Sequence, residues 1–225
     1  MDDDLCVAHV PIFSRLSRAQ QMQVAEVARP VSARPGEVLY HQGGAPAPLI
    51  VVHRGLVKLV RVSPDGRERV LQVMEPGDFV GEASLLSGGR PDHSAVAVAD
   101  AQLCVFRPEA FAGLLGSHPQ VGFAMMGALS RRLASAQELL EQVSSREVGA
   151  RVADYLLGLE AHRDADDIVA QLPLPKKDIA SLLGTTPESF SRALTRLVEA
   201  DVIALEGTRK VVITDVDALS ELAAS

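Results

Sequence analysis

Residues 175–198 read PKKDIASLLGTTPESFSRALTRLV, two short helical patterns broken by a single glycine. The first opens at Pro175 and stops at Gly184, which suits the left-handed position just past a helix end. The second restarts at Thr186, a good N-cap, with Pro187 at the first helical position and Glu188 at the positive end of the helix dipole. Phe190, Leu194, Leu197 and Val198 form an apolar stripe on this helix. Glu188, Ser191, Arg192 and Thr195, spaced i, i+3, i+4, i+7, share the other face. Helix, tight turn, helix is the helix-turn-helix pattern, whose second helix enters the major groove and reads bases with its N-terminal residues. Arg192 can donate two bonds to guanine O6 and N7, Glu188 can accept from cytosine N4, and Ser191 can reach the next base. The competing reading is a solvated helix face with an i, i+4 Glu–Arg pair.

The flanking sequence favours the first reading. Val202 to Leu205, then Glu206-Gly207-Thr208-Arg209-Lys210, then Val211 to Ile213, predicts a hairpin with a basic tip. A helix-turn-helix trailed by a hairpin is a winged helix. Between Leu172 and Ile213 six basic residues face five acidic ones. So nearly neutral a module binds polyanions poorly at physiological salt and must rely on base contacts and on doubling through a dimer. The whole chain, at net charge −7 and pI near 5.4, points the same way.

Upstream, residues 119–146 carry one long helical pattern. Met126, Leu129, Leu133, Ala136, Leu140 and Val143 alternate at spacings of three and four, a heptad seam on a helix about 40 Å long. No second heptad run exists in the chain, so a parallel homodimer is expected, with a core helix inside one chain as the alternative. A hinge is expected at Ser144-Ser145. A further helix over 146–161 would bury Val148, Val152, Tyr155, Leu156 and Leu159, and end in a polar loop at 162–167.

The N-terminal half changes period. Gly44, Gly55, Gly66, Gly77 and Gly88 recur every eleven residues, with β-rich runs at 49–52, 56–62, 70–74, 95–98 and 102–106 and a turn at Pro64-Asp65-Gly66. Short strands so spaced predict a β-roll or jelly roll. The fold class is therefore α+β: a β-roll (double-stranded β-helix) over 1–116, a dimerisation helix over 117–146, and a winged helix-turn-helix over 147–225.

Several classes are excluded. The 225 residues contain two cysteines, Cys6 and Cys104, so one chain cannot build a disulfide scaffold or a four-cysteine zinc or iron–sulfur site. No run of 18 apolar residues occurs, and Met1-Asp2-Asp3-Asp4 is acidic where a signal peptide is basic, so a cytoplasmic protein without membrane contact is expected. No His-x-His clamp, phosphate-binding Gly-Lys loop, Gly-x-Ser-x-Gly elbow or His-Glu-x-x-His motif is present, and neither catalysis nor a metal site is expected.

Taken in order, these features resemble the Crp–Fnr superfamily of bacterial transcription regulators. The resemblance rests on Pro35-Gly36-Glu37, Gln42-Gly43, Gly77-Asp78-Phe79-Val80-Gly81-Glu82, Ser94-Ala95, Arg131-Arg132-Leu133 and Glu188-Ser189-Phe190-Ser191-Arg192. It implies a homodimer on double-stranded DNA, with RNA polymerase as protein partner. The last motif is similar to the Glu-x-x-Ser-Arg pattern of the Fnr branch, which implies TTGAT-like half-sites in an inverted repeat. By the same resemblance Lys176, Thr186 and Ser189 occupy phosphate-contacting positions.

The resemblance also marks an effector pocket at Gly81, Glu82, Arg90, His93 and Ser94. His93 stands where cyclic-AMP-binding members carry the arginine for the cyclic phosphate, and a neutral imidazole lacks that permanent charge and planar fork. Ala136-Gln137 stand where those members read adenine. The resemblance to two-cysteine Fnr-like proteins makes Cys6 and Cys104 candidates for a thiol–disulfide switch. In the chain-entropy picture such a bridge stabilises the oxidised form by about 4–5 kcal/mol. Two ordinary small apolar residues, one of them buried in a strand, are the plain alternative. A cyclic-nucleotide-responsive regulator and a haem-based nitric oxide or carbon monoxide sensor are the other inputs that the resemblance admits. The sequence itself identifies no cofactor.

Overall fold

The computed structural model describes residues 10–164 and 167–224. It contains two compact units, dividing between Leu133 and Ala134.

The first unit opens with a 3-10 turn at Pro11–Phe13 and helix α1 (Arg18–Val27), whose start is fixed by a reciprocal capping box between Ser17 and Gln20. Strands β1 (Arg29–Ala33), β2 (Val38–Tyr40), β3 (Leu49–Arg54), β4 (Val57–Val62), β5 (Glu68–Met74) and β6 (Phe79–Val80) precede the short helix α2 (Glu82–Ser87). Then come β7 (Ser94–Ala97), β8 (Ala101–Phe106), α3 (Pro108–Ser117) and α4 (Pro119–Ser145), which runs on past the division. The strands form two four-stranded antiparallel sheets, ordered β1-β8-β3-β6 and β2-β7-β4-β5. All five β-rich runs of the sequence are strands. The Pro64-Asp65-Gly66 turn closes the β4–β5 hairpin, with Gly66 at φ +80° and its N–H on the Ser63 carbonyl at 2.9 Å. Gly55, Gly77 and Gly88 also take positive φ, but Gly44 does not; its neighbour Gly43 does, at +70°.

The run Leu49-Ile50-Val51-Val52 is apolar without a break because β3 is covered on both faces. Alternate side chains of a strand point to opposite sides. Leu49 and Val51 pack with Phe13, Phe79, Phe111 and Val121 under the helices, whereas Ile50 and Val52 pack with Leu59, Met74 and Leu103 between the sheets.

The second unit contains α5 (Val148–Leu157), β9 (Ala161–Asp164), β10 (Asp167–Gln171), α6 (Lys176–Leu182), α7 (Pro187–Glu199), β11 (Ile203–Glu206), β12 (Lys210–Ile213) and α8 (Val216–Ala223). Four strands pair antiparallel in the order β11-β12-β10-β9. Two expectations are corrected here. The polar stretch at 162–167 is not simply a loop: β9 pairs with β10 from Ala161↔Ala170 to Asp167↔Asp164, and edge pairing of backbone groups needs no apolar pattern. The break after α4 falls at Arg146-Glu147, just past Ser144-Ser145, which remain helical. On α5 the buried face comprises Ala150, Arg151, Val152, Ala153 and Leu156, while Val148, Tyr155 and Leu159 are only half-buried. Among the described residues no helix is long and apolar enough to cross a membrane.

Candidate nucleic-acid interface and effector pocket

The turn between α6 and α7 is built as its sequence requires. Gly184 takes φ +63°, and the Thr185 N–H reaches back to the Ala180 carbonyl at 2.9 Å. Thr186 caps α7 by accepting from the Ser189 N–H at 3.2 Å. Phe190, Ala193, Leu194 and Leu197 are buried, and Val198, expected in the stripe, is 37% exposed. Its place is taken by Ala193, because 190, 193, 194 and 197 follow the helical repeat more closely than 198 does.

Glu188, Ser191 and Arg192 all lie exposed on the opposite face of α7. Arg192 does not pair with Glu188; its Nη2 donates to Ser189 Oγ at 3.1 Å. Ser189 Oγ also accepts from Thr186 Oγ1 at 3.1 Å, so one hydroxyl joins the cap to the arginine. The Thr195 hydroxyl is spent on the Ser191 carbonyl at 3.1 Å. Lys176 is the half-buried first residue of α6. In the β11–β12 hairpin, Lys210 Nζ lies 2.6 Å from Glu206 Oε2, so the basic tip is carried by the exposed Arg209 rather than by both residues.

In the roll, Gly81 and Glu82 start α2, with Gly81 at φ +93° and a Cβ there overlapping the Pro48 carbonyl oxygen. Glu82 Oε2 is buried with no hydrogen-bond partner among the described residues, and Glu82 Oε1 lies 3.5 Å from Arg132 Nη1 of α4. Arg132 also donates to the Phe79 carbonyl at 2.6 Å, lies 3.5 Å from Asp78 and stacks 4.5 Å over the Phe79 ring. His93 is held at both nitrogens: Nδ1 lies 2.7 Å from Asp92 Oδ1, and Nε2 lies 2.7 Å from the Tyr40 hydroxyl. With Nδ1–H on the carboxylate, Nε2 of a neutral ring accepts from Tyr40. The bond from His93, helped by Arg61, holds the Asp92 carboxyl below its usual range, against some desolvation. Burial, and then the charges of Glu82 and Asp92, push the Tyr40 phenol upward. Ser94 Oγ accepts from the Gln42 N–H at 2.9 Å, and Arg90 donates to the Gly43 carbonyl at 3.1 Å.

Sequence reasoning missed Tyr40 and Asp92, and took Arg132 only as part of a motif of the long helix. Asp92 directly precedes His93 in the chain, but Tyr40 is 53 residues away and brought to it by the β2–β7 pairing.

Met126, Leu133 and Leu140 of the expected seam are 56%, 62% and 72% exposed, and Ala136 is exposed too. Leu129 is half-buried and packs against the roll core instead, since it follows the buried Val121 and Met125 at four-residue steps on the helix. Phe123, one turn upstream and 69% exposed, extends the apolar face. The Val143 side chain lies outside what is described. Cys104 is buried in β8 and is not a free thiol, while Cys6 lies outside the described residues.

Residues 30–118 match the cyclic nucleotide-binding domain, and residues 150–222 the Crp-like helix-turn-helix domain. The cyclic AMP receptor protein of Thermus thermophilus is 34% identical over 188 residues, 84% of this chain and 85% of that protein. The chain belongs to the Crp–Fnr family. The nitrogen fixation regulation protein FixK of Bradyrhizobium diazoefficiens is 29% identical over 206 residues, covering 90% of this chain and 85% of its own. Among solved structures, FixK2 of Bradyrhizobium japonicum superimposes with a TM-score of 0.74 at 25% identity, over 88% of this chain and 98% of FixK2. Crp–Fnr proteins are DNA-binding regulators, typically dimeric. This member is a transcription regulator with a DNA-binding helix-turn-helix, and not an enzyme.

Proposed function

We propose that this chain acts as a homodimer that reads an inverted repeat of TTGAT-like half-sites, under the control of a thiol signal in its roll. The observation that carries the reading is the free base-reading face of α7. Glu188 and Ser191 are exposed, and Arg192 is steadied from within its own helix by Ser189 rather than neutralised by Glu188. Glu188, Ser191 and Arg192 are the base readers, and Lys176, Thr186 and Ser189 approach phosphate. The exposed stripe of Phe123, Met126, Leu133 and Leu140 on α4 supports pairing along residues 117–146. Two such modules about 34 Å apart would meet successive turns of one duplex face. In this reading RNA polymerase is the protein partner, and the cytoplasm the compartment.

Two observations favour a thiol input over a cyclic nucleotide. Cys104 is not a free thiol, and His93, at the phosphate position, has both nitrogens occupied. Of the cations beside the pocket of Gly81, Glu82, Arg90, His93 and Ser94, Arg132 is engaged by Phe79, Asp78 and Glu82, and the exposed Arg90 bonds the Gly43 carbonyl.

Mass spectrometry of reduced and oxidised protein, run beside gel shifts on the inverted repeat, tests both halves. A Cys6–Cys104 bridge should form and change the affinity for the repeat. No bridge, or a bridge without effect on binding, removes the thiol input. Saturable calorimetric binding of cyclic AMP or cyclic GMP would restore the nucleotide reading.

A further inference from the structure

The second unit contains a hollow of about 820 Å³, walled by the start of α5, one side of α7 and the end of α8. Sites for small organic ligands span roughly 300–1,000 Å³. Arg146, Arg151, Arg192 and Arg196 line it against a single carboxylate, Glu147. Among the described residues Arg146 and Arg196 make no ion pair, and the bond of Arg192 goes only to Ser189 Oγ. Arg151 is 6% exposed; its Nη1 is spent on the Leu183 carbonyl at 2.5 Å, and its Nε is buried without a partner. A guanidinium so deeply placed is costly unless its donors and its charge are met. The floor is apolar, with Leu197, Val202 and Leu222.

We infer that this hollow is a binding site for an amphipathic organic anion, a carboxylate whose head meets the arginines and whose hydrocarbon body covers the apolar floor. Charge complementarity selects the head, since planar guanidinium groups pair two N–H donors with the two oxygens of a carboxylate. The apolar lining selects the body, because an inorganic anion or a duplex phosphate gains nothing from lying against Leu222 and its apolar neighbours, whereas a hydrocarbon chain does. Ser189 and Arg192 belong both to this lining and to the proposed DNA face, so anion and duplex exclude one another. The site is thus a direct off-switch on the reading helix, separate from any signal in the roll. The exclusion, though not the binding, rests on the proposed reading of DNA by α7.

The test uses the full chain and decanoate as probe, with sodium sulfate as the inorganic control. Calorimetry should show saturable decanoate binding and none for sulfate at the same concentration. Arg196→Gln should weaken it at least about tenfold, the usual cost of losing a hydrogen bond to a charged group. Ala218→Trp, which fills the hollow from α8 away from the DNA face, should abolish decanoate binding and leave duplex binding intact. A thermal melt checks that this variant folds, and Arg196→Gln carries the test if it does not. In gel shifts decanoate should release the duplex from the wild-type protein and not from Ala218→Trp. Equal binding of sulfate and decanoate, or decanoate binding untouched by both substitutions, overturns the site. Decanoate bound while duplex affinity stays unchanged overturns the exclusion. A duplex that the protein never binds discredits the reading of DNA alone, because the calorimetric arm contains no DNA.

Discussion

Arg192 donates to Ser189 Oγ at 3.1 Å, and that hydroxyl is in turn tied to Thr186, the residue that caps the helix. A long side chain pre-set by two short ones loses less freedom when it meets a base edge. Arg192→Ala should therefore cost about 1–3 kcal/mol of DNA affinity and relax discrimination at one guanine, measured by gel shifts on single-base variants of the inverted repeat. Equal loss on every sequence would assign Arg192 to phosphate instead. The residue types of this face were legible from an i, i+3, i+4, i+7 spacing; the Ser189 bond was not, because i, i+3 spacing permits a contact without choosing it over Glu188 at i, i+4.

At the scale of elements, the start of α2 is tightly specified. Gly81 sits at φ +93° with the Pro48 carbonyl where a Cβ would go, so both its conformation and its space exclude a side chain. Gly81→Ala should destabilise the protein by roughly 2–4 kcal/mol in urea unfolding, since strain and overlap add. A change under about 0.5 kcal/mol, the size usual for an unconstrained surface site, would mean that the backbone relaxes freely there. The strands of the roll and the two helices of the reading module were visible because each carries a period, a cap or a turn residue of its own. The β9–β10 hairpin was not visible. Its stretch is polar, and its pairing is held by backbone groups that every sequence possesses.

For the whole molecule, the decisive feature is an apolar face of α4 left in water by the single chain. Leu133 and Leu140 are 62% and 72% exposed. Replacing both by glutamate removes little that this chain buries, so the melting temperature of the isolated fold should barely change. A dimer, however, would have to bring charged side chains together in a dry seam. Light scattering should then give half the wild-type mass at micromolar concentration, and binding to the inverted repeat should fall to the level of one half-site. A double variant that keeps the wild-type mass would place the dimer contact elsewhere.

Local physics is what the linear order of residues settled here. The short β-rich runs between 49 and 106, the long heptad stretch and the Gly184-Thr185-Thr186-Pro187 turn each impose a conformation through neighbours a few positions apart, and they suffice for an α+β chain with a roll, a helix and a winged module. Contacts between distant positions were decided only on folding. Tyr40 meets His93 across 53 residues, Arg132 reaches Phe79 across another 53, and Leu129 turns into the roll while Met126 stays outside. No spacing rule encodes such meetings, because they depend on which strands pair and how closely the helices pack over them. Those choices are made by the summed burial of the entire core, and a side chain's final partner follows from them.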